Sequence, residues 1–77
     1  MKSCRARVAE NITRKRLRKR LTQQRLADRI GIHRVSLSNL ETGAAFPTPE
    51  HLDKLAVALE TDVSRFFLTP KPLKGKK

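Results

Sequence analysis

The sequence lacks several features that would point to particular protein classes. It has a single cysteine, Cys4, so no disulfide can form within the chain and the core has to come from side-chain packing. A lone cysteine with no catalytic partner nearby favours a reducing compartment, so we expect the cytoplasm. Tryptophan and tyrosine are absent. No apolar run is long enough to cross a bilayer or to form a signal-peptide core, which argues against a membrane protein.

Positive charge is plentiful and is concentrated at the two ends of the 77-residue chain, whose net charge is +11. Residues 1–34 carry twelve Lys or Arg against two acidic residues, a net of +10. Residues 35–69 have a net charge of −3, and residues 70–77 have +4. Such a basic chain favours a polyanionic partner, nucleic acid before an acidic membrane, although a solvated basic surface is the alternative. Double-stranded DNA is favoured over RNA because stacking aromatic residues are nearly absent.

Apolar residues recur at helical spacing, and no stretch alternates as a strand does. The expected fold is all-α, a compact bundle of five short helices. The first three cover about residues 6–19, 23–30 and 33–41, the fourth carries Leu52, Leu55, Ala56 and Leu59, and the last, short one carries Val63, Phe66 and Phe67. Thr22, Thr48 and Asp62 are placed as N-caps of the second, fourth and fifth helices. The expected organisation is a basic N-terminal arm, one domain and a disordered basic tail, over residues 1–5, 6–69 and 70–77.

The second and third predicted helices are separated by a short turn that contains Gly31. Gly31 can adopt the left-handed backbone that reverses the chain, and the small Ala27 lets the two helices cross closely. Leu37 and Leu40 then anchor the third helix in the core. This arrangement predicts a helix-turn-helix, the motif that places its second helix in the major groove of DNA.

Two stretches, "LTQQRLADRIGI" and "LSNLETGAAFPTPEHLDKLAVAL", extend this pattern over most of the chain, from about Val8 to Leu68. In these motifs the sequence resembles the Cro and phage-repressor family of helix-turn-helix proteins, also called Xre-like. Arg20 and Glu60 depart from the family, which often has glycine at both places. The resemblance implies a small DNA-binding transcriptional regulator, most simply a dimeric repressor of a pseudo-palindromic operator, with no enzymatic activity, cofactor or metal.

The resemblance also implies which residues contact DNA. Base contacts fall on the first two turns of the third helix: Arg34, Val35, Asn39, His33 and Ser38. Arg34 suits guanine, Val35 the thymine methyl and Asn39 adenine, although Arg34 and Asn39 also suit phosphate, Val35 can be a tolerated exposed residue and His33 can act only as a cap. Phosphate contacts are expected from Gln23, Thr22, Ser36, Thr42, Ala44, Ala45, Arg14 and Arg20. A solvated first-turn position is the alternative for Gln23.

Two further roles follow from the resemblance rather than from the pattern. Glu41 is expected to pair with Arg16 as a structural ion pair, so that its charge does not repel phosphate. Phe66, Phe67 and Leu68 are expected to form the homodimer interface, with the alternative that one Phe belongs to the core.

A second class of function is an antitoxin-like interaction protein, in which the tail "TPKPLKGKK" or the fifth helix binds a toxin or another protein. The basic tail lacks the apolar anchors that such a segment needs, which makes this the secondary hypothesis. An enzyme is disfavoured because His33 and His51 have no neighbouring ligands for a metal and no nucleophile stands beside a base.

Overall fold

A computed structural model describes residues 3–68 of the chain. Within this range it has four α-helices, one short 3-10 helix and no strand: α1 (Cys4–Arg18), α2 (Gln23–Ile30), α3 (Arg34–Thr42), α4 (Pro49–Ala58) and the 3-10 helix (Val63–Phe67). The all-α class is therefore confirmed. The count of five α-helices is not, because the last element is a single 3-10 stretch. The predicted basic tail, 70–77, lies outside the described residues.

Hydroxyl side chains define where three of the α-helices begin. Ser3, Thr22 and Thr48 each accept a hydrogen bond from the backbone N–H three residues ahead, at 3.2, 3.0 and 3.1 Å. The cap at Ser3 starts α1 two residues before the predicted start, so Cys4 and Arg5 are helical rather than part of an extended arm. The fifth element was expected to be capped by Asp62, whose side chain makes no capping hydrogen bond.

The ends of α1, α2 and α4 share one backbone motif. Each is followed by a residue with positive φ: Arg20 at 59°, Gly31 at 75° and Glu60 at 56°. After α1, the Arg20 N–H donates to the Leu17 carbonyl (2.9 Å) and the Leu21 N–H to that of Arg16 (3.1 Å). This is the Schellman pair of bonds, and the other two ends repeat it. Arg20 and Glu60, which stand where the family often has glycine, thus keep the same helix-end hydrogen bonds as Gly31 and carry the strain of a positive φ.

The core lies between α1 on one side and α2, α3 and α4 on the other. α1 packs on α3 and on the 3-10 helix, while α2 packs on α3 and α4. The largest fully buried side chains are Phe66, Ile12, Leu26, Leu37, Leu55 and Val8. No helix within residues 3–68 combines the length and apolar composition needed to cross a bilayer.

One buried polar side chain attaches the last element to the bundle. Asn11 is 6% exposed, and its Nδ2 donates to the carbonyls of Phe66 and Leu68, at 2.7 Å each. Both N–H groups of the amide are thereby satisfied, as a buried polar group requires. Asn11 is a polar residue beside the apolar stripe of Val8 and Ile12 on α1. That position is the sequence signal for this attachment, and helical spacing alone does not reveal it.

Candidate nucleic-acid interface

The outer face of α3 carries the residues predicted to contact bases. Leu37 and Leu40 are buried at 0% and 4% exposure, which fixes the direction of the opposite face. On that face the structure exposes the side chains of His33, Arg34, Val35, Ser36 and Asn39, while Ser38 is half-buried. Val35 is 60% exposed, so its aliphatic side chain is accessible to a ligand on this face.

His33 occupies the N-cap of α3, but its ring makes no capping hydrogen bond. The helix is closed instead by the His33 carbonyl, which accepts from the Leu37 N–H at 3.1 Å. His33 is therefore at the cap position expected from the sequence, but it caps through its backbone, and its ring stays exposed. Its two ring nitrogens remain available to a ligand at the start of α3.

Glu41 connects all three helices that form the interface. Arg16 of α1 holds it with two hydrogen bonds, Nε to Oε2 at 2.7 Å and Nη2 to Oε1 at 3.1 Å. Gln23 of α2 donates a third from Nε2 to Oε1 at 3.0 Å. The third guanidinium nitrogen of Arg16, Nη1, donates to the Leu21 carbonyl at 2.7 Å. The side chains of Arg16 and Glu41 are only 11% and 3% exposed. The structure thus brings the expected ion partners together and adds Gln23 to them.

This network leaves the start of α2 able to bind an anion. The carboxylate of Glu41 is neutralised by Arg16, so no unpaired negative charge stands behind the helix start. Gln23 uses one amide N–H on Glu41 and has a second to donate. The Thr22 hydroxyl accepts from the Arg25 N–H, which leaves its own hydrogen free to donate. Helix N-termini attract anions through such free N–H groups and the helix dipole.

Thr42 is the last residue of α3, and Ala44 and Ala45 lie in the loop that follows it. The Ala45 N–H donates to the Asn39 carbonyl at 3.1 Å, so this amide is already used within the protein. The Ala44 N–H reaches only the Thr42 Oγ1, at 3.4 Å, which is a weak contact. Of the two amides expected to bind phosphate, Ala44 is therefore available and Ala45 is not, because its bond closes the C-terminal turn of α3.

The comparisons with known proteins agree with this geometry. A family model described as helix-turn-helix matches residues 12–66, which is more than half of the chain and contains the whole of α2 and α3. The chain belongs to the Xre/Cro-like helix-turn-helix family. It is therefore related to DNA-binding transcriptional regulators. No curated protein sequence matches the chain.

Solved structures of family members superpose closely on the chain. A hypothetical transcription factor, NHTF from Neisseria, is 28% identical with a TM-score of 0.83, over 88% of this chain and 78% of that one. The restriction-modification controller C.AhdI from Aeromonas hydrophila is 26% identical with a TM-score of 0.77, over 80% of this chain and 94% of that one. ClgR, the clp gene regulator from C. glutamicum, shares the fold at 24% identity and a TM-score of 0.79, over 86% of each chain.

Two arginines predicted to contact phosphate have different positions in this helix-turn-helix domain. Arg20 is exposed in the turn that leads into α2, one residue before Leu21 and beside the Thr22 cap. Arg14 lies two residues from Arg16 on α1, so the two point about 200° apart around the helix. Arg16 contacts α3, whereas Arg14 pairs with Glu10 at 3.2 Å on the far side. We therefore remove Arg14 from the interface.

The three residues expected at a dimer interface differ in burial. Phe66 is 0% exposed and belongs to the core, so its assignment to the dimer surface is wrong: the Asn11 bonds hold its backbone against α1. Phe67 is half-buried and lies against the ring of Phe46, with centroids 6.4 Å apart. Leu68 is 58% exposed. The apolar surface here thus consists of Phe67 and Leu68, together with Phe46, which is 41% exposed.

Proposed function

We propose that the protein is a sequence-specific repressor that binds a pseudo-palindromic DNA site as a homodimer, with α3 of each protomer in the major groove. One observation carries this proposal. The first two turns of α3 expose Arg34 and Val35, which have no partner within residues 3–68, while the one acidic side chain near the start of α2, Glu41, is paired. Such a surface can attract phosphate, and its free side chains can contact the edges of bases.

The exposed residues of α3 offer different contacts to bases. The Arg34 guanidinium matches the O6 and N7 acceptors of guanine, and the Asn39 amide matches N6 and N7 of adenine. Val35 offers an apolar contact to the methyl group of thymine. His33 and Ser38 lie beside them and provide further hydrogen-bonding groups. Base readout by this set is the source of the specificity we propose.

Phosphate binding is proposed at both ends of the motif. Gln23, Thr22 and the free amides of the first turn of α2 form one site, with Arg20 beside them. Ser36, Thr42 and the Ala44 N–H form the other, at α3 and the loop that follows it. These contacts orient α3 on the duplex without selecting sequence.

The homodimer is proposed through the apolar surface of Phe46, Phe67 and Leu68. A two-fold dimer places two recognition helices about one duplex turn apart, which explains why a small domain selects one site among many. The cytoplasm, expected from the sequence, follows from this function, because the DNA that the protein regulates lies there.

The test is selection of bound sequences from random duplexes, together with affinities for DNA upstream of the protein's own gene and for a scrambled duplex. We expect Arg34→Ala to lose preference at one base position, at a cost of about 1–3 kcal/mol for the preferred base. Gln23→Ala is expected to weaken binding to all sequences alike. Equal affinity of the unaltered protein for upstream and scrambled DNA at physiological salt contradicts the proposal, because specific binders differ by about 10³ or more. The reverse effects of the two variants would exchange their assigned roles.

A further inference from the structure

α1 carries a second basic surface on the side away from α3. Arg7, Arg14 and Arg18 are nine, two and two residues from Arg16, which places them about 160–180° around the helix from it. Arg16 bonds to Glu41 of α3. The three arginines, which we call the rear face, therefore point away from the recognition helix and from a duplex that it binds.

Two of the three arginines of the rear face have no ion-pair partner among residues 3–68. Arg14 forms an ion pair with Glu10, at 3.2 Å, and both side chains are about a quarter exposed. No carboxylate of residues 3–68 lies within ion-pair distance of Arg7 or Arg18. Arg18 is exposed, and Arg7 is half-buried.

A cleft of about 630 Å³ continues the rear face toward the 3-10 helix. Its charged lining consists of four basic residues, Lys15, Arg18, Lys19 and Arg65, and two acidic ones, Glu60 and Asp62. Burial lowers the pKa of Lys15, and the neighbouring charges of Arg18 and Arg65 lower the pKa of Lys15 further. The cleft thus carries more basic than acidic side chains beside the rear face.

We propose that the rear face binds the phosphate backbone of a second segment of double-stranded DNA, so that a protein bound at its own site bridges two duplexes. This inference rests on the proposed function, since it assumes that α3 holds the first duplex. From Arg7 to Arg18 the helix rises about 16 Å, a length over which one DNA strand passes several phosphates. Guanidinium groups suit phosphate through paired N–H donors, and this contact selects no base sequence.

The second duplex is favoured over other polyanions by proximity. Once α3 has bound a site, the remaining length of the same DNA is held near the protein at high effective concentration. Contacts with its backbone then add to the affinity without a new recognition sequence. An RNA or an acidic protein has no such advantage. The test therefore compares capture of an RNA hairpin and of poly-glutamate with capture of the duplex.

The test uses the full chain and two variants of equal net charge. Arg7→Gln/Arg18→Gln removes the two unpaired arginines of the rear face. The matched control, Arg29→Gln/Lys54→Gln, removes two exposed charges that line the groove between α2 and α4. Each protein is first loaded on an immobilised duplex that carries the upstream sequence, and loading is measured. A fluorescent duplex of unrelated sequence is then added at several salt concentrations, and its capture is measured.

We expect the rear-face variant to load like the control and to lose capture of the second duplex. Its slope of log affinity against log salt for that duplex is expected to fall by about 1.8 per protomer, since two phosphate contacts are removed. Equal capture by both variants, or stronger capture of poly-glutamate or an RNA hairpin than of the duplex, overturns the inference. If the proposed function is wrong, the unaltered protein loads equally on upstream and scrambled duplexes, and this is measured separately. The two variants can then still be compared for capture of a second duplex, with either immobilised duplex as the first.

Discussion

Replacing Arg20 by glycine is expected to stabilise the domain while weakening its hold on DNA. Arg20 has φ of 59° in the turn after α1, a left-handed conformation that costs a residue with a Cβ about 1–2 kcal/mol. Glycine removes this strain but adds about 0.4–1 kcal/mol of unfolded-state entropy. Arg20→Gly should therefore raise the free energy of unfolding by about 0.5–1 kcal/mol, equivalent to a few degrees in Tm, at about 4–8 °C per kcal/mol for a domain of this size.

Calorimetry and urea titration measure the stability change, and DNA binding against salt measures the lost charge. Because Arg20 lies beside the start of α2, the slope of log affinity against log salt should fall by about 0.9 per protomer. The control is Arg18→Gly, two residues earlier at the last residue of α1, where there is no positive φ to relieve and glycine should destabilise by up to about 1 kcal/mol. Destabilisation by Arg20→Gly as well would refute the reasoning that the positive φ stores strain.

The same substitution at Glu60 gives a second control with a pH dependence. Glu60→Gly also relieves a positive φ of 56°, but it removes the hydrogen bond that Glu60 accepts from Lys19 at 2.5 Å. That bond and the Lys19 charge lower the pKa of Glu60. A lowered pKa means that the contribution of Glu60 is present above its ordinary pKa and is lost as pH falls through the lowered one. At neutral pH Glu60→Gly should gain less than Arg20→Gly, and the difference between them should close on acidification.

Two further predictions test the interior beneath the interface. Glu41→Gln should lower the free energy of unfolding by about 3–5 kcal/mol, because it leaves the 11%-exposed Arg16 without its counter-ion. Urea titration or chevron kinetics measure this change. A loss below about 1 kcal/mol contradicts the structural role of the pair. Phe66→Ala should cost about 3–5 kcal/mol with the oligomeric state of any folded fraction unchanged, whereas Leu68→Arg should leave the urea midpoint nearly unaltered and shift sedimentation toward the monomer. Dimer loss from Phe66→Ala at unaltered stability would return Phe66 to the interface.

The positions of α1 to α4 could be predicted because each depends on local signals. Thr22 and Thr48 are hydroxyl caps, and Gly31 follows the last apolar residue of α2, so these boundaries are present in neighbouring residues. α1 begins two residues before its predicted start because Ser3, which stands within a basic stretch, caps it. The last element is a 3-10 helix of only five residues, a length at which the helical spacing of apolar residues does not distinguish it from an α-helix.

Whether a site residue could be predicted from the sequence depends on how far along the chain its contacts lie. The exposed face of α3 follows from the spacing of Leu37 and Leu40 alone. The choice between Phe66 and Phe67 does not follow from local spacing, because the burial of Phe66 depends on packing in the core and on a backbone bond from Asn11, fifty-five residues earlier. The use of the Ala45 N–H likewise depends on loop geometry, which composition does not specify.

Several residues of this domain serve stability and the proposed DNA contact together, which limits how either can be improved. Glu41 neutralises Arg16, and it also holds Gln23 at the start of α2. A carboxylate beside a phosphate site is unfavourable unless it is paired, so its presence indicates that positioning of Gln23 outweighs the electrostatic cost. Arg20 shows the opposite balance, since glycine would fit its backbone better but would remove a positive charge next to the helix start. Variants selected for stability alone should therefore accumulate glycine at residue 20 and retain Glu41.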